Sequence, residues 1–332
     1  MSTFQNVLGH DHAIRHLTRA LQDGLISHAY IIEGPQGVGK RTLAGAFIHA
    51  LLCEDPRQDA DRFDACGVCD SCRLLDNGNH PDVVCLRPED GKKAISVQQI
   101  RGGLVSDIEV FPYRSSYKIY VIEDADKLSI GAQNAMLKTI EEPPSYAVIL
   151  LLCENAASLL PTILSRCVKI SLQPLSGELI EDALKQRGIS ETDAGIFASF
   201  AQGCLGRALA LAEDENFASL RDDLFSFLGR IPKASPLEML QGASLFSDYK
   251  AYSDTIFDLL EIWQRDVSVF HETGDTSLLL CRDRLSEIEA VSAYYTSDKI
   301  VRIGASIRDI RLKLTQNANP GLAIDCLMIC LK

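Results

Sequence analysis

Apolar residues follow two periods along the first half of this chain. Residues 27–33, 117–122 and 146–153 are short, nearly unbroken apolar runs rich in Ile, Val, Leu and Tyr, the signature of strands buried on both faces. The segments between them are helical in spacing. Leu43, Phe47, Ala50 and Leu51 recur at three- and four-residue intervals over 43–52, as do Ala132, Ala135, Met136 and Ile140 over 128–142; Pro143-Pro144 then ends the second helix. A further strand signal, Val168-Lys169-Ile170, completes a predicted parallel α/β sheet with flanking helices through about residue 170. From Phe217 the period is helical, through Leu220, Leu224, Phe225, Phe227 and Leu228 and again over 240–260, which predicts an all-helical C-terminal domain with Trp263 in its core.

Composition narrows what such a chain does. The 332 residues are 46% hydrophobic and 23% charged, so disorder and fibrous repeats are excluded. The net charge of −12 is the wrong sign for a protein that binds nucleic acid by itself. There is no apolar run near the ~20 residues of a membrane span, and the polar residues 1–17 lack the apolar core of a signal peptide. These features predict a cytoplasmic protein with no membrane contact.

Candidate chemistry sits at the ends of the predicted strands. Directly after 27–33 comes Gly34-Pro35-Gln36-Gly37-Val38-Gly39-Lys40-Arg41-Thr42, the spacing of a P-loop whose backbone N–H groups and helix start cradle phosphate, with Lys40 neutralising the outer phosphates. The candidate nucleotide-binding residues are Gly34, Gly37, Gly39, Lys40 and Thr42, joined by Glu123 and Asp124 after the 117–122 strand. Such an acidic pair holds hydrated Mg²⁺ and polarises water, usually in the order Asp then Glu. The metal-binding Ser/Thr position is occupied by Arg41 instead, and Thr42, one residue on, points about 100° away on a helix. ATP binding is expected; efficient Mg²⁺-dependent hydrolysis is not.

Eleven cysteines in a chain of this size do not indicate a disulfide framework. Cys66, Cys69 and Cys72 at i, i+3 and i+6 match a structural Zn²⁺ site that needs a fourth ligand, for which Cys53, Cys85 and His80 are candidates.

Taken in order, His28-Ala29-Tyr30, the P-loop, the cysteine triplet, His80-Pro81-Asp82, residues 137–144 (LKTIEEPP) and Ser165-Arg166-Cys167 make the chain similar to the bacterial clamp-loader ATPases of the DNA polymerase III holoenzyme, in the AAA+ family, over about residues 4–211. That resemblance implies an AAA+ P-loop domain at 1–170 with a zinc module inserted at 53–85, a helical lid at 171–214, and an all-helical collar, the oligomerisation domain, at 215–332. It also implies gamma/tau and delta subunits as partners, with the sliding clamp and primed DNA in the assembly. Arg166 would be an arginine finger acting in trans, and Cys53 would be the fourth zinc ligand. Departures from the hydrolysing members coincide: Arg41, the exchanged Glu123/Asp124, Glu154-Asn155 in place of a threonine pair, and Gly206 at the sensor-arginine position with Arg207 one residue late. They imply a stationary, finger-donating subunit with weak or absent ATPase activity. The alternatives are a gamma/tau-like motor and a zinc-dependent nucleic-acid-binding protein.

Overall fold

The computed structural model describes residues 3–59, 62–89, 91–92, 94–235, 237–239, 252–316 and 318–332. Of the predicted helical stretch 240–260, residues 240–251 lie outside these. The chain divides into two compact units, Met1–Ile180 with Gly203–Arg207, and Glu181–Gln202 with Ala208–Lys332. None of the described helices is long and apolar enough to cross a membrane.

The first unit runs α1 (Asp11–Gln22), β1 (Ala29–Glu33), α2 (Lys40–Leu52), β2 (Arg57–Asp59), β3 (Arg62–Asp64), α3 (Asp70–Asp76), β4 (Val83–Leu86), α4 (Val97–Ile100), β5 (Lys118–Ile122), α5 (Ile130–Glu141), β6 (Ala147–Cys153), α6 (Pro161–Leu164) and β7 (Val168–Ser171). Strands β2 and β3 form a small antiparallel hairpin, and the other five form one parallel sheet in the order β4-β5-β6-β1-β7. This is the parallel α/β sheet with flanking helices that the sequence predicts. The strand ends differ from the predicted ones by one or two residues.

Side chains alternate across the sheet with the period of two that the pleat imposes. Tyr30, Ile32, Ile119, Val121, Val148, Leu150 and Leu152 pack with Leu17, Leu43 and Phe47 from α1 and α2. Ala29, Ile31, Tyr120, Ile122, Ile149 and Leu151 pack on the opposite face with Ile100, Leu104, Met136, Ile140 and Ile163. Strand β6 is therefore buried along its whole length, which is why its sequence is continuously apolar.

Residues 107–115, which precede β5, are anchored by buried polar groups. Lys118 is 5% exposed; its Nζ donates to the carbonyls of Asp107 and Val110 and pairs with the Asp107 carboxylate at 2.8 Å. Tyr120 and Tyr146 donate their hydroxyls to the Asp107 carboxylate and the Ile108 carbonyl. Asp82, fully buried, accepts the backbone N–H groups of Tyr113, Arg114 and Ser115.

In the second unit, helices Glu191–Phe200, Phe217–Arg230, Ser253–Thr273, Leu285–Tyr294, Ser297–Thr315 and Pro320–Leu331 enclose a single core. Trp263 lies in it as expected, its ring 4.9 Å from that of Phe225. Phe200, from the predicted lid, packs on Phe217 and Phe225 in the same core. Arg221 is buried there too, its guanidinium 5.0 Å from the Phe225 ring and 2.7 Å from the Asp283 carboxylate.

Burial pushes the Asp82 pKa up, but the three N–H donors outweigh it and hold the carboxyl below its ordinary range. A pKa lower in the folded than in the unfolded chain stabilises the protein above the unfolded value of about 3.9 and ceases to do so as pH falls through the folded value. Asp82→Asn should therefore cost about 1.5–3 kcal/mol in urea denaturation at pH 7, with the gap to wild type narrowing progressively below about pH 4.

Candidate functional site

The P-loop leaves β1 at its carboxyl end, where open parallel sheets place their ligands. Gly37 and Gly39 adopt φ of +79° and +114°, conformations that side chains resist, and Gly39 caps the start of α2. The loop thereby turns into the N-terminus of α2, whose free N–H groups make a setting suited to phosphate. Lys40 Nζ donates to the carbonyls of Gly34 at 2.6 Å and Pro35 at 3.0 Å, which keeps its charge over the cradle. His10 Nε2 bonds the Val38 carbonyl at 3.0 Å and joins the loop to a cleft of about 830 Å³ bordered by Asp11, Lys169, Pro174 and Leu175.

The 203–207 segment closes on this loop. Gly206 donates its N–H to the Gly37 carbonyl at 2.8 Å. A Cβ at Gly206 would lie 3.0 Å from both Gly37 Cα and its carbonyl oxygen, and a Cβ at Gly37 would lie 2.9 Å from Arg207 N. Glycine at 206 and at 37 lets the two segments approach this closely, and a side chain at 206 would press on the Gly37 backbone.

The acidic residues at the strand ends are each engaged. Glu123, after β5, pairs through Oε2 with Arg41 Nη2. Asp124 has left-handed backbone with φ of +51° and pairs with Lys127 at 3.0 Å, and Asp126 accepts the N–H of Glu154 at 3.1 Å. Thr42 is exposed. Glu33, whose role the sequence does not reveal, accepts from Ala156 N at 2.8 Å, Ser171 Oγ at 3.2 Å and Lys169 Nζ at 2.7 Å. Burial alone would raise its pKa; these donors bring it below the ordinary carboxylate range. It ties the carboxyl ends of β1, β6 and β7 beneath the P-loop.

Arg166 lies at the other end of the sheet. Tyr30 pairs with Val168, so residue 166 is level with residue 28, whereas the P-loop starts beyond Glu33. Six residues of strand separate them, about 20 Å at ~3.3 Å per residue. The Arg166 guanidinium is held by Glu141 Oε1 at 2.8 Å and by the Thr162 carbonyl at 3.0 Å, and its side chain is 38% exposed. It points at no phosphate cradle of its own chain.

The cysteine module forms a separate site. The sulfurs of Cys53, Cys66, Cys69 and Cys72 all lie within 4.8 Å of one another, with Cys53 and Cys69 3.9 Å apart. Tetrahedral metal–sulfur bonds of ~2.3 Å imply sulfur separations of ~3.8 Å, so the set fits one metal ion. Backbone N–H groups point at the sulfurs: Cys66 N at Cys53, Val68 N and Cys69 N at Cys66, and Cys72 N at Cys69. The Val68 and Cys69 N–H groups bring the Cys66 thiol down to about 7 against the opposing effect of burial, while burial pushes Cys53 and Cys72 up. The other two candidates lie elsewhere. Cys85 is exposed on β4, and the His80 ring bonds Ser71 Oγ at 3.0 Å and the Asp82 N–H at 3.2 Å.

Long-range contacts that local sequence does not signal brace the module. Arg114 reaches Glu54 at 2.8 Å and Asp70 at 3.3 Å, the neighbours of Cys53 and Cys69. The Asp82 carboxylate holds the Arg114 backbone, and Ser71 Oγ donates to the Leu52 carbonyl at 2.7 Å. Spreading ~10–16 kcal/mol of metal-binding energy over four ligands gives about 3 kcal/mol each, on the order of a hundredfold in affinity. Cys53→Ser should weaken metal retention by about that factor, as followed by release to a chromogenic chelator. Cys85→Ser should leave it unchanged, and Arg114→Ala should speed release by a smaller factor.

Residues 9–176 match the family model described as "DNA polymerase III, delta subunit". The chain is 41% identical over 151 residues to DNA polymerase III subunit delta' of Pseudomonas aeruginosa, covering 46% of this chain and 44% of that one. It is 26% identical over 319 residues to the delta' subunit of Bacillus subtilis, covering 95% and 94%. With DNA polymerase III subunit tau of B. subtilis it shares 31% identity over 246 residues, 72% of this chain and 41% of the tau sequence. The matches to tau and to the P. aeruginosa protein thus span less than half of those relatives. With its P-loop sheet, its cysteine module and these relationships, the chain belongs to the DNA polymerase III delta-subunit family, as a delta-prime-like clamp-loader protein.

Proposed function

We propose that this chain is the stationary subunit of a DNA polymerase III clamp loader, one that helps place the sliding clamp on primed DNA and donates Arg166 to the ATP site of a neighbouring subunit. Its partners are then the gamma/tau and delta subunits. The observation that carries this reading is the separation of Arg166 from its own P-loop along the strands. A cation about 20 Å from its own phosphate cradle serves a phosphate only if another chain brings one to it. There it would stabilise the charge on the transferring phosphoryl group. Release from Glu141 is inexpensive, because a half-exposed pair contributes no more than about 1 kcal/mol.

The rest of the assignment follows the same division of labour. We read the cysteine module as a structural Zn²⁺ site with all four positions filled by Cys53, Cys66, Cys69 and Cys72, because a closed four-sulfur set leaves no open position for substrate. The 1–170 P-loop domain would bind ATP through Gly34, Gly37, Gly39 and Lys40, residues 171–214 would be its lid, and 215–332 the collar. Arg41 and Gly206 stand where metal-dependent turnover requires other residues, so the chain contributes no hydrolysis of its own.

Arg166→Ala in a reconstituted clamp loader should leave folding, metal content and assembly intact. It should slow single-turnover ATP hydrolysis at one interface by ~10³-fold, seen as a partial loss of steady-state rate and of clamp loading. Unchanged rates in a normally assembled complex would make Arg166 a structural residue paired with Glu141. The isolated wild-type chain should show no ATP turnover above background. Turnover that Lys40→Ala abolishes would instead make it a gamma/tau-like motor.

A further inference from the structure

A P-loop that uses magnesium places a hydroxyl directly after its lysine and an acidic residue at a nearby strand end, with the ion and its waters between them. Here Arg41 stands in the hydroxyl's place in the first turn of α2. Its guanidinium crosses the end of β6 to meet Glu123 after β5. The two positions that would grip the ion from opposite sides are therefore joined by an organic cation. Mg²⁺ takes hard oxygen ligands in a nearly octahedral shell, and a guanidinium offers only N–H donors. The donor set does not fit the metal.

We infer that Arg41 replaces Mg²⁺ as the counter-ion of this P-loop, so that the site takes a nucleoside di- or triphosphate as the free anion rather than as its metal complex. The inference rests on reading residues 34–40 as a nucleotide site. Arg41 has five N–H donors in a planar fork that matches phosphate oxygens. Glu123 engages Nη2, and the side chain is 76% exposed, so donors remain for a ligand entering over the loop. Lys40, now bonded to the Gly34 and Pro35 carbonyls, supplies the second cation from the same turn. The neighbouring acids do not restore a metal shell: Asp124 is paired with Lys127, and Asp126 accepts the Glu154 N–H. A metal complex would bring a second cation against the guanidinium, which the ion pair with Glu123 offsets only in part.

The test is a titration of the full-length isolated chain with ATP and with ADP by calorimetry, in Mg²⁺ and after Mg²⁺ is removed by buffer exchange. A chelator is avoided because it would compete for the metal of the cysteine module. Wild type should bind equally well or better without Mg²⁺, within about threefold. Arg41→Ser, which restores the hydroxyl, should lose about tenfold or more without Mg²⁺ and recover it when the ion is added. Lys40→Ala should not bind in either buffer. Tenfold tighter binding by wild type in Mg²⁺, or an Arg41→Ser variant that binds like wild type without the ion, would overturn the inference. So would the absence of wild-type binding in both buffers, which would also remove the nucleotide site itself. The Arg166 measurement in the assembled loader is made at a different chain's site and stands or falls separately.

Discussion

The first unit depends on a sheet sealed on both faces. Alternate side chains of β1, β5 and β6 are committed to two different cores, so a slip of one residue would turn an apolar row toward the wrong layer and is strongly disfavoured. Every candidate functional group of the P-loop domain hangs from a strand end whose position this alternation sets. Glu33, Glu123 and the P-loop leave the carboxyl ends, while Arg166 and residues 107–115 meet the amino ends. The length of one strand thereby separates the P-loop from Arg166.

The cysteine module obeys a different constraint. Among the described residues its own apolar cluster is confined to Ala65, Cys66 and Cys72, too little apolar area to order it unaided, and small units of this kind need a staple. A metal ion held by the four sulfurs would provide one. The module is also fastened to the sheet by Ser71 on the Leu52 carbonyl and by Arg114 across Glu54 and Asp70. Asp82 is the hinge between the two systems, since its buried carboxylate holds the backbone that carries Arg114.

At the P-loop, backbone and side chains divide the work. Positive-φ glycines and the helix start make an anion cradle, and the side chains decide which anion and with what counter-ion. Lys40, Arg41 and Glu123 leave one net positive charge beside the loop before any ligand enters. The close approach of Gly206 to Gly37 leaves little space for a side chain at 206. The shape of the cradle rests on backbone geometry, and the charge around it on a few side chains.

Local pattern was enough to determine β1, β5, β6 and β7, helices α2 and α5, the phosphate loop and the cysteine triplet, because periodic burial and tight ligand spacing are properties of adjacent residues; α1, the β2–β3 hairpin and the edge strand β4 were not read from it. The same pattern placed Trp263 in a helical core. Selection of Cys53 over Cys85 and His80 required the tertiary structure, since all three lie at workable sequence distances and only folding brings one of the sulfurs to the cluster. The pairs Arg41–Glu123, Arg166–Glu141 and Arg114–Glu54 join residues 82, 25 and 60 positions apart, and no local spacing encodes them. Parallel pairing made the remaining decision: it set Arg166 and the P-loop at opposite ends of neighbouring strands, a relation that exists only once those strands are in register.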